Sequence, residues 1–270
     1  MTVKLEKLLD YLRQRGSVAV ALSGGVDSST LAMAAALALG NCAVAVTAVS
    51  ELLSAEERAD ARRAAAAAGI RQVELSVGDL MVPQLAANDG NRCYYCKKER
   101  LIQLCDWAGR EGFSFVADGS NLDDRGDYRP GMRALSELAP TVISPYMDCG
   151  WTKQDIRQQA REWGLAVWNK PSAACLASRI AYGLPLTPVR LAQVEAAERI
   201  VRRFAAGQVR VRHHDRMARI EAEPTAFAGL MLHRQEIVLQ LQALGFAYVT
   251  LDLAGYRTGS QNEILDKEKE

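Results

Sequence analysis

The sequence predicts an α/β protein in which a parallel sheet carries helices on both faces, followed by a small α+β C-terminal domain. The sheet is predicted because short apolar runs alternate with helical patterns through about the first 165 residues. The second domain is predicted because this alternation stops after Gly164 and a new unit begins near Thr187. With 270 residues and 49% hydrophobic content, the chain can bury a large core.

The elements of the first domain follow from periodicity and capping signals. Leucines at helical spacing predict a helix over 4–15, and a capping box of Ser54 and Glu57 opens a helix that Gly69 closes. Thr152 and Asp155 offer a looser capping box for a helix over 153–163. Further helices are expected in the string "TLAMAAALALG", which stops at Gly40, and near 94–110. The expected strands are 17–22, 42–50, 72–77, 113–117 and 141–144.

The stretch 165–186 has no sustained period and contains two prolines, a cysteine and an arginine, which is typical of a functional loop. We place the domain boundary near Gly183, with a first domain over 1–183 and a substrate-binding or oligomerisation domain over 184–270. The second domain is expected to contain a helix to about 204, strands 208–214 and 217–222, a helix through about 244, and a final strand 246–253.

Composition and charge exclude several broad classes. Lys and Arg number 33 against 32 Asp and Glu, so no global charge favours nucleic acid or an anionic membrane as partner. No apolar run reaches the roughly 18–20 residues of a spanning helix, and the first residues lack the features of a secretory signal. We therefore expect a soluble cytoplasmic protein, whose six cysteines are reduced thiols, metal ligands or catalytic sulfur.

The junction "LSGGVDSS" at 22–29 joins the first apolar strand to a helix. A glycine pair there leaves amides pointing outward beside the positive end of the helix, which makes an anion site. Neither G-x-G-x-x-G nor G-x-x-x-x-G-K-[ST] is present, and hydroxyls with one carboxylate stand in place of the lysine. An ordinary tight turn with a serine N-cap is the alternative. The predicted phosphate-binding residues are Ser23, Gly24, Gly25, Asp27, Ser28 and Ser29, with Asp27 as a magnesium ligand.

The string "SGGVDSS" resembles the PP-loop of ATP pyrophosphatases, which activate an oxygen as an adenylate and release pyrophosphate. This resemblance implies a PP-loop (adenine nucleotide alpha-hydrolase-like) parallel sheet and binding of ATP and Mg²⁺. Further strings resemble the LarE family, ATP-dependent sulfur transferases that make the nickel-pincer nucleotide cofactor of lactate racemase. These strings are "NRCYYCKKE", "ADGSNLDDRGDYRPGMRA", "KPSAACLASRIAYG", "VRVRHHDRMARIE" and "GYRTGSQNE".

The LarE resemblance implies that the substrate is pyridinium-3,5-biscarboxylic acid mononucleotide, whose carboxylates are adenylated in turn and converted to thiocarboxylates. Arg210 and Arg212 alternate on a strand, so both face one side and could bind the substrate phosphate, although two exposed arginines on a sheet are the plain alternative. Ser178 and Arg179 could bind phosphate or the charge of the acyl adenylate. A second acidic set that could bind a divalent cation is formed by Glu195, Glu198 and Glu221.

Sulfur chemistry is expected at Cys175, where the charge of Arg179 would favour the thiolate. In some LarE proteins one cysteine near this point surrenders its own sulfur and becomes dehydroalanine, whereas in others three cysteines hold a 4Fe-4S cluster. Cys93, Cys96 and Cys175 match the second pattern, and we expect them to ligate a cluster. The alternative is that Cys175 is sacrificial. The C-x-x-C pair could also bind zinc or have no functional role.

Polar residues also follow the predicted strand at 113–117. Asp118 lies at its end, and the next loop is crowded by Asn121, Asp123, Asp124, Asp127 and Arg129. Their density suggests the rim of an active site, although these residue types are common in turns.

Other functions remain open at this stage. A PP-loop tRNA thiolase is the main rival, but it should carry a basic face. The resemblance suggests a homo-oligomer acting on a small molecule, and the sequence does not identify the sulfide donor.

Overall fold

A computed structural model describes residues 2–126, 130–171 and 174–263. The chain forms two compact units, one of residues 1–79 with 93–173 and one of residues 80–92 with 174–270. This division differs from the predicted boundary at Gly183, because the second unit includes the segment 80–92 and resumes at residue 174, ten residues before the predicted start at 184. The functional roles assigned to the two domains stay predictions.

The first unit is a five-stranded sheet covered by helices. Its strands are β1 (Val18–Ala21), β2 (Ala43–Val49), β3 (Arg71–Ser76), β4 (Phe115–Ala117) and β5 (Val142–Ile143). The helices of the chain up to Glu162 are α1 (Val3–Arg15), α2 (Val26–Leu39), α3 (Ala55–Ala68), α4 (Pro83–Ala86), α5 (Arg92–Arg110), α6 (Pro130–Glu137), α7 (Pro145–Cys149) and α8 (Lys153–Glu162). Among these, α4 belongs to the second unit.

The sheet has strand order β3-β2-β1-β4-β5, and all four strand pairs are parallel. Side chains alternate along β1, so that Val18 and Val20 enter one core while Ala19 enters the other. The first core packs α1, α2, α3 and α8 on one face, and the second packs α5 and α6 on the other. The predicted parallel sheet with helices on both faces is confirmed.

Capping residues fix the helix ends as the sequence predicts. Ser54 and Glu57 form a reciprocal capping box at α3, and Gly69 ends that helix in the left-handed conformation. Thr152 and Asp155 do the same at α8, where the predicted looser box is complete. Among the described helices, none combines the length and apolar character needed to cross a lipid bilayer.

The second unit pairs a three-stranded sheet with helices, as predicted for an α+β domain. Its strands are β6 (Val209–His214), β7 (Met217–Ala222) and β8 (Tyr248–Leu251), with β6 antiparallel and β8 parallel to β7. The remaining helices are α9 (Pro188–Val201), α10 (Phe227–Leu232) and α11 (Arg234–Ala243). The single helix predicted to run through about 244 is therefore two helices, separated at His233, whose ring stacks on Phe204 at 4.8 Å.

Candidate active site

The glycine-rich loop lies where the strand order of the first unit reverses. The chain passes from β1 outward to β2 and β3, then returns to place β4 on the other side of β1. Ligands of open α/β sheets bind in the crevice beyond the carboxyl ends of strands at such a point. The loops after β1 and β4 meet there, because a Cβ added at Gly119 would lie 3.3 Å from Asp27 Cβ and from the Ser28 amide nitrogen.

The loop backbone requires glycine at one position. Gly24 has φ +78°, and a Cβ there would lie 2.6 Å from the amide nitrogen of Ala61 on α3. Gly25 is the N-cap of α2 and provides no side-chain cap, so the first amides of that helix keep their capacity to bind an anion. This geometry would suit an anion, and anion binding by the loop residues stays a prediction.

The loop hydroxyls and carboxylate include polar atoms without partners. The Ser23 amide donates to Ser28 Oγ at 3.1 Å, and the two hydroxyls lie 3.1 Å apart. In contrast, Ser29 Oγ and Asp27 Oδ1 are buried and have no hydrogen-bond partner among the described residues. A carboxylate oxygen left without a partner beside a helix N-terminus fits Mg²⁺ bound together with phosphates. Asp27 and Ser29 are therefore the residues that would hold magnesium and nucleotide here.

Two lysines reach this crevice that the sequence reasoning did not single out. The Lys153 ammonium, from the first turn of α8, forms an ion pair with Asp27 Oδ2. Lys97, on α5, lies 3.3 Å from Asp118 Oδ2 and donates to Ser120 Oγ at 3.3 Å. The sequence signal for these lysines was that the loop itself lacks a lysine, because another element must then supply the cation near the phosphates.

Tyr146 supports the loop from within the core. Its hydroxyl donates to the backbone oxygen of Asp27 at 3.3 Å, and the side chain is fully buried. Burial raises the pKa of Tyr146 well above its usual value, and the nearby charge of Asp27 adds to this. The tyrosine is therefore a neutral hydrogen-bond donor that fixes the start of α2.

The C-x-x-C pair lies in the first turn of α5, near the same crevice of the first unit. A Cβ at Gly131 would meet Lys97 Cδ at 3.0 Å and the backbone oxygen of Cys93 at 3.7 Å. Since Lys97 contacts the loop after β4, this turn is close to the strand ends. Cys93 is exposed and Cys96 is partly buried.

The predicted metal sites are not assembled in the part of the chain that the structure describes. Within residues 2–126, 130–171 and 174–263, no three His, Cys, Asp or Glu side chains form a group that could hold a metal ion. Cys93 and Cys96 belong to the first unit and Cys175 to the second. The 4Fe-4S cluster therefore stays a prediction.

Glu198, the predicted cation ligand, accepts hydrogen bonds from two arginines of the second unit. Its Oε1 accepts from Arg179 Nε at 2.8 Å and from the Val211 amide at 3.2 Å, and its Oε2 accepts from Arg202 at 3.1 Å. The carboxylate is buried between two guanidinium groups. This geometry favours a role in holding Arg179 over the predicted role in binding a divalent cation.

Arg179 folds over the turn that carries Cys175. Its guanidinium donates to the backbone oxygens of Ala174 and Cys175, and also to Ser178 Oγ at 3.1 Å. The Ser178 hydroxyl donates to the Cys175 oxygen at 2.8 Å. The structure therefore brings three predicted residues, Cys175, Ser178 and Arg179, into one turn, and their roles in catalysis stay predictions.

The two strand arginines lie in different surroundings. Arg212 donates twice to Glu221 Oε2, at 3.0 and 2.7 Å, and also to the Ser178 backbone oxygen at 2.9 Å. Arg210 is buried, donates to the Val209 oxygen at 2.7 Å, and has no carboxylate partner among the described residues. Burial, then the charge of Arg179, lowers the pKa of Arg210. A buried guanidinium that has no direct carboxylate partner among the described residues favours an anionic ligand, although the charge of Glu198 lies near it.

Asn88 is a buried residue that sequence reasoning did not identify. Its side-chain amide donates to the backbone oxygens of Ala181 and Leu184, both at 2.9 Å, and its φ is +59°. Arg92 donates to its side-chain oxygen at 2.5 Å. These bonds anchor the end of the stretch 165–186 within the second unit.

The acidic loop after β4 lies partly within the described residues. Asp118 caps the turn by accepting the Ser120 amide at 2.8 Å, and Asp124 accepts the Asn121 amide at 2.9 Å. Asp123 accepts the Lys153 amide at 2.8 Å. The predicted rim residues Asp127 and Arg129 lie outside the described residues.

Comparisons with known proteins cover the whole chain. The asparagine synthase family model matches residues 8–86, which include the glycine-rich loop. An uncharacterized protein of Synechocystis sp. is 40% identical over 98% of this chain and 98% of its own. Pyridinium-3,5-bisthiocarboxylic acid mononucleotide synthase of Lactiplantibacillus plantarum is 37% identical over 99% of this chain and 96% of its own.

A more distant relative belongs to the rival class. The tRNA-specific 2-thiouridylase MnmA of Rhodococcus erythropolis is 32% identical, but the match covers 58% of this chain and 50% of that enzyme. The similarity to the mononucleotide synthase extends over both units, including the loop that fits magnesium and nucleotide. The chain belongs to the LarE family of PP-loop ATP-dependent sulfur transferases.

Proposed function

We propose that the protein adenylates the carboxylates of pyridinium-3,5-biscarboxylic acid mononucleotide and converts them to thiocarboxylates, releasing AMP and pyrophosphate. The supporting observation is that a chain 37% identical to the bisthiocarboxylic acid mononucleotide synthase over 99% of its residues contains a glycine-rich loop in which Asp27 Oδ1 is buried without a hydrogen-bond partner among the described residues. The product would serve the biosynthesis of a nickel-pincer nucleotide cofactor, such as that of lactate racemase.

The loop of the first unit supports the activation step. A substrate carboxylate oxygen attacks the α-phosphorus of ATP, and the bond from that phosphorus to the pyrophosphate oxygen breaks. The amides of Gly24 and Gly25 and the hydroxyls of Ser23, Ser28 and Ser29 bind phosphate oxygens. Mg²⁺, when bound at Asp27, supplies charge neutralisation for the phosphates. The activated carboxyl then carries AMP as its leaving group.

The second unit supports binding of the substrate monophosphate. Arg210 lies buried without a carboxylate partner among the described residues, whereas Arg212, Arg179 and Arg202 share Glu198 and Glu221. A phosphate would supply the missing negative charge. We assign Arg210 to direct phosphate contact, with Arg212 and Ser178 positioning the turn. We assign to Arg179 the stabilisation of the negative charge of the acyl adenylate.

The sulfur step uses Cys175, and two routes remain from the sequence. In the first, Cys93, Cys96 and Cys175 would hold a 4Fe-4S cluster, which when bound would supply the sulfur for transfer. In the second, the Cys175 thiolate displaces AMP and forms a thioester; a base then removes the Cα proton of Cys175, and the Cβ–Sγ bond breaks, so that the substrate leaves as a thiocarboxylate and Cys175 becomes dehydroalanine. Both routes replace one carboxylate oxygen by sulfur and consume one ATP per carboxylate.

Anaerobic purification followed by iron and sulfide analysis distinguishes the two routes. The cluster route predicts iron and acid-labile sulfide that are lost in Cys93→Ala and retained in Cys42→Ala, a control cysteine without ligand spacing. The sacrificial route predicts iron-free protein whose mass falls by that of hydrogen sulfide after one turnover. Mass unchanged in iron-free, active protein would contradict both routes.

The substrate assignment has its own test. Arg210→Ala should raise the KM for the pyridinium mononucleotide by about 10- to 100-fold with a smaller effect on the KM for ATP, because a charged hydrogen bond to phosphate is lost. Arg199→Ala removes an exposed arginine of α9 and should leave both constants unchanged. RNA that co-purifies and is thiolated would instead favour the tRNA thiolase. The predicted homo-oligomer is checked by light scattering.

A further inference from the structure

We propose that Lys153 binds the β- and γ-phosphates of ATP and stabilises the departing pyrophosphate, in place of the lysine that the glycine-rich loop lacks. The inference rests on the proposed adenylation. It assigns to α8 a catalytic residue that neither the loop motif nor the capping pattern identifies.

The ion pair of Lys153 places its ammonium at the phosphate-binding loop. Lys153 Nζ contacts Asp27 Oδ2, while Asp27 Oδ1 is buried without a partner among the described residues. The two side chains are 29% and 28% exposed, so the pair is open to a ligand from the crevice. The two other lysines near the loops are paired with carboxylates, Lys97 with Asp118 and Lys170 with Asp60. In the part of the chain that the structure describes, Lys153 is the lysine paired with Asp27, the carboxylate that fits Mg²⁺.

The backbone of Lys153 is fixed by the loop after β4. Its amide donates to Asp123 Oδ2 at 2.8 Å, and the Leu122 amide donates to the Trp151 oxygen at 3.0 Å. The capping box of Thr152 and Asp155 holds the start of α8. The Cα position is therefore rigid, whereas the four-carbon stem can redirect the ammonium.

When ATP binds, the charges around Asp27 determine the position of the Lys153 ammonium. A divalent cation at Asp27 competes with Lys153 for the same carboxylate, and the ammonium is then next to the N-terminus of α2, where phosphates collect. As the carboxylate oxygen bonds to the α-phosphorus, the electron pair of the broken bond passes to the pyrophosphate oxygen. Lys153 Nζ–H donates to that oxygen and remains protonated, so no further reactant is needed.

Binding of pyrophosphate and of AMP separates this role from a structural ion pair. With Mg²⁺ present, calorimetry should show that Lys153→Met weakens pyrophosphate binding by about 10- to 100-fold and leaves AMP affinity unchanged, because AMP lacks the β- and γ-phosphates. Lys153→Arg should recover part of the affinity. Lys4→Met is the matched control, since Lys4 pairs with Asp155 on the same helix end at 2.7 Å.

A double variant tests whether Lys153 acts only by neutralising Asp27. If Lys153 only neutralises Asp27, the double variant Asp27→Asn/Lys153→Met should bind magnesium-free pyrophosphate as tightly as Asp27→Asn does. The proposal predicts instead that the double variant binds magnesium-free pyrophosphate at least about tenfold more weakly than Asp27→Asn. Wild-type affinity for pyrophosphate in Lys153→Met, or equal losses for pyrophosphate and AMP, would overturn the inference. If wild-type protein binds pyrophosphate through Lys153 but does not thiolate the pyridinium mononucleotide, the proposed function fails and this inference stands.

Discussion

Replacing Gly24 by alanine tests the close approach of the glycine-rich loop to α3. At φ +78° an L-residue is strained by about 1–2 kcal/mol. The added Cβ would also lie 2.6 Å from the Ala61 amide nitrogen and 3.0 Å from Asp60 Cβ, an overlap that costs about 1–3 kcal/mol. The sum, about 2–5 kcal/mol, should lower the Tm by roughly 5–15 °C in a scanning calorimeter.

Two glycines provide matched controls for this variant. Gly16 has φ +73° with nothing within 4 Å of an added Cβ, so Gly16→Ala should cost only the strain, about 1–2 kcal/mol. Gly25 has no positive φ, and its nearest atom is Ser23 Oγ at 3.6 Å, so Gly25→Ala should change stability by less than about 0.5 kcal/mol. If Gly24→Ala and Gly16→Ala lose the same stability, the contact with α3 does not constrain the loop.

Three further predictions concern buried charge, pH and capping. Glu198→Ala leaves Arg179 and Arg202 without their shared carboxylate and should cost about 3–5 kcal/mol in urea unfolding; a loss below 1 kcal/mol would contradict the buried pairing. Burial lowers the pKa of His213 from 6.5 to about 4, so the folded state favours the neutral ring. Stability should therefore be full above pH 6.5, and His213 should contribute a decline of at most about 3 kcal/mol as pH falls towards 4. His213→Asn should reduce this slope and leave the part due to His214, whose pKa burial also lowers. Ser54→Ala should cost about 1 kcal/mol by loss of the α3 cap, whereas an unchanged urea midpoint would show that the capping box is dispensable.

Most of the sheet was predictable because its signals are local. The apolar run before the glycine pair, the capping box at Ser54 and the glycine at 69 each specify an element within a few residues. The break at His233 was not predicted, because apolar periodicity continues across it and the stacking on Phe204 is a contact distant in sequence. The segment 80–92 joins the second unit through bonds such as those of Asn88, which are likewise non-local.

The candidate site was predictable in its residue types and less so in their partners. The phosphate loop and the turn of Cys175 to Arg179 are contiguous strings, so sequence reasoning identified them. Lys153 is remote from Asp27 along the chain, and only the neighbouring positions of β1, β4 and the start of α8 bring it there. The pairing of Glu198 with Arg179 was not predicted because the two residues are remote along the chain. From sequence alone, a glutamate in a helix is expected to be exposed to solvent.

The most direct test of the central claim is the product formed from purified protein, MgATP and pyridinium-3,5-biscarboxylic acid mononucleotide under anaerobic conditions. Mass spectrometry should show the substrate with one oxygen exchanged for one sulfur, accompanied by one AMP and one pyrophosphate for each exchange. Asp27→Asn should lose the exchange while it keeps its fold. ATP cleaved to ADP and phosphate, or a substrate that returns without sulfur from active wild-type protein, would contradict adenylation followed by sulfur transfer.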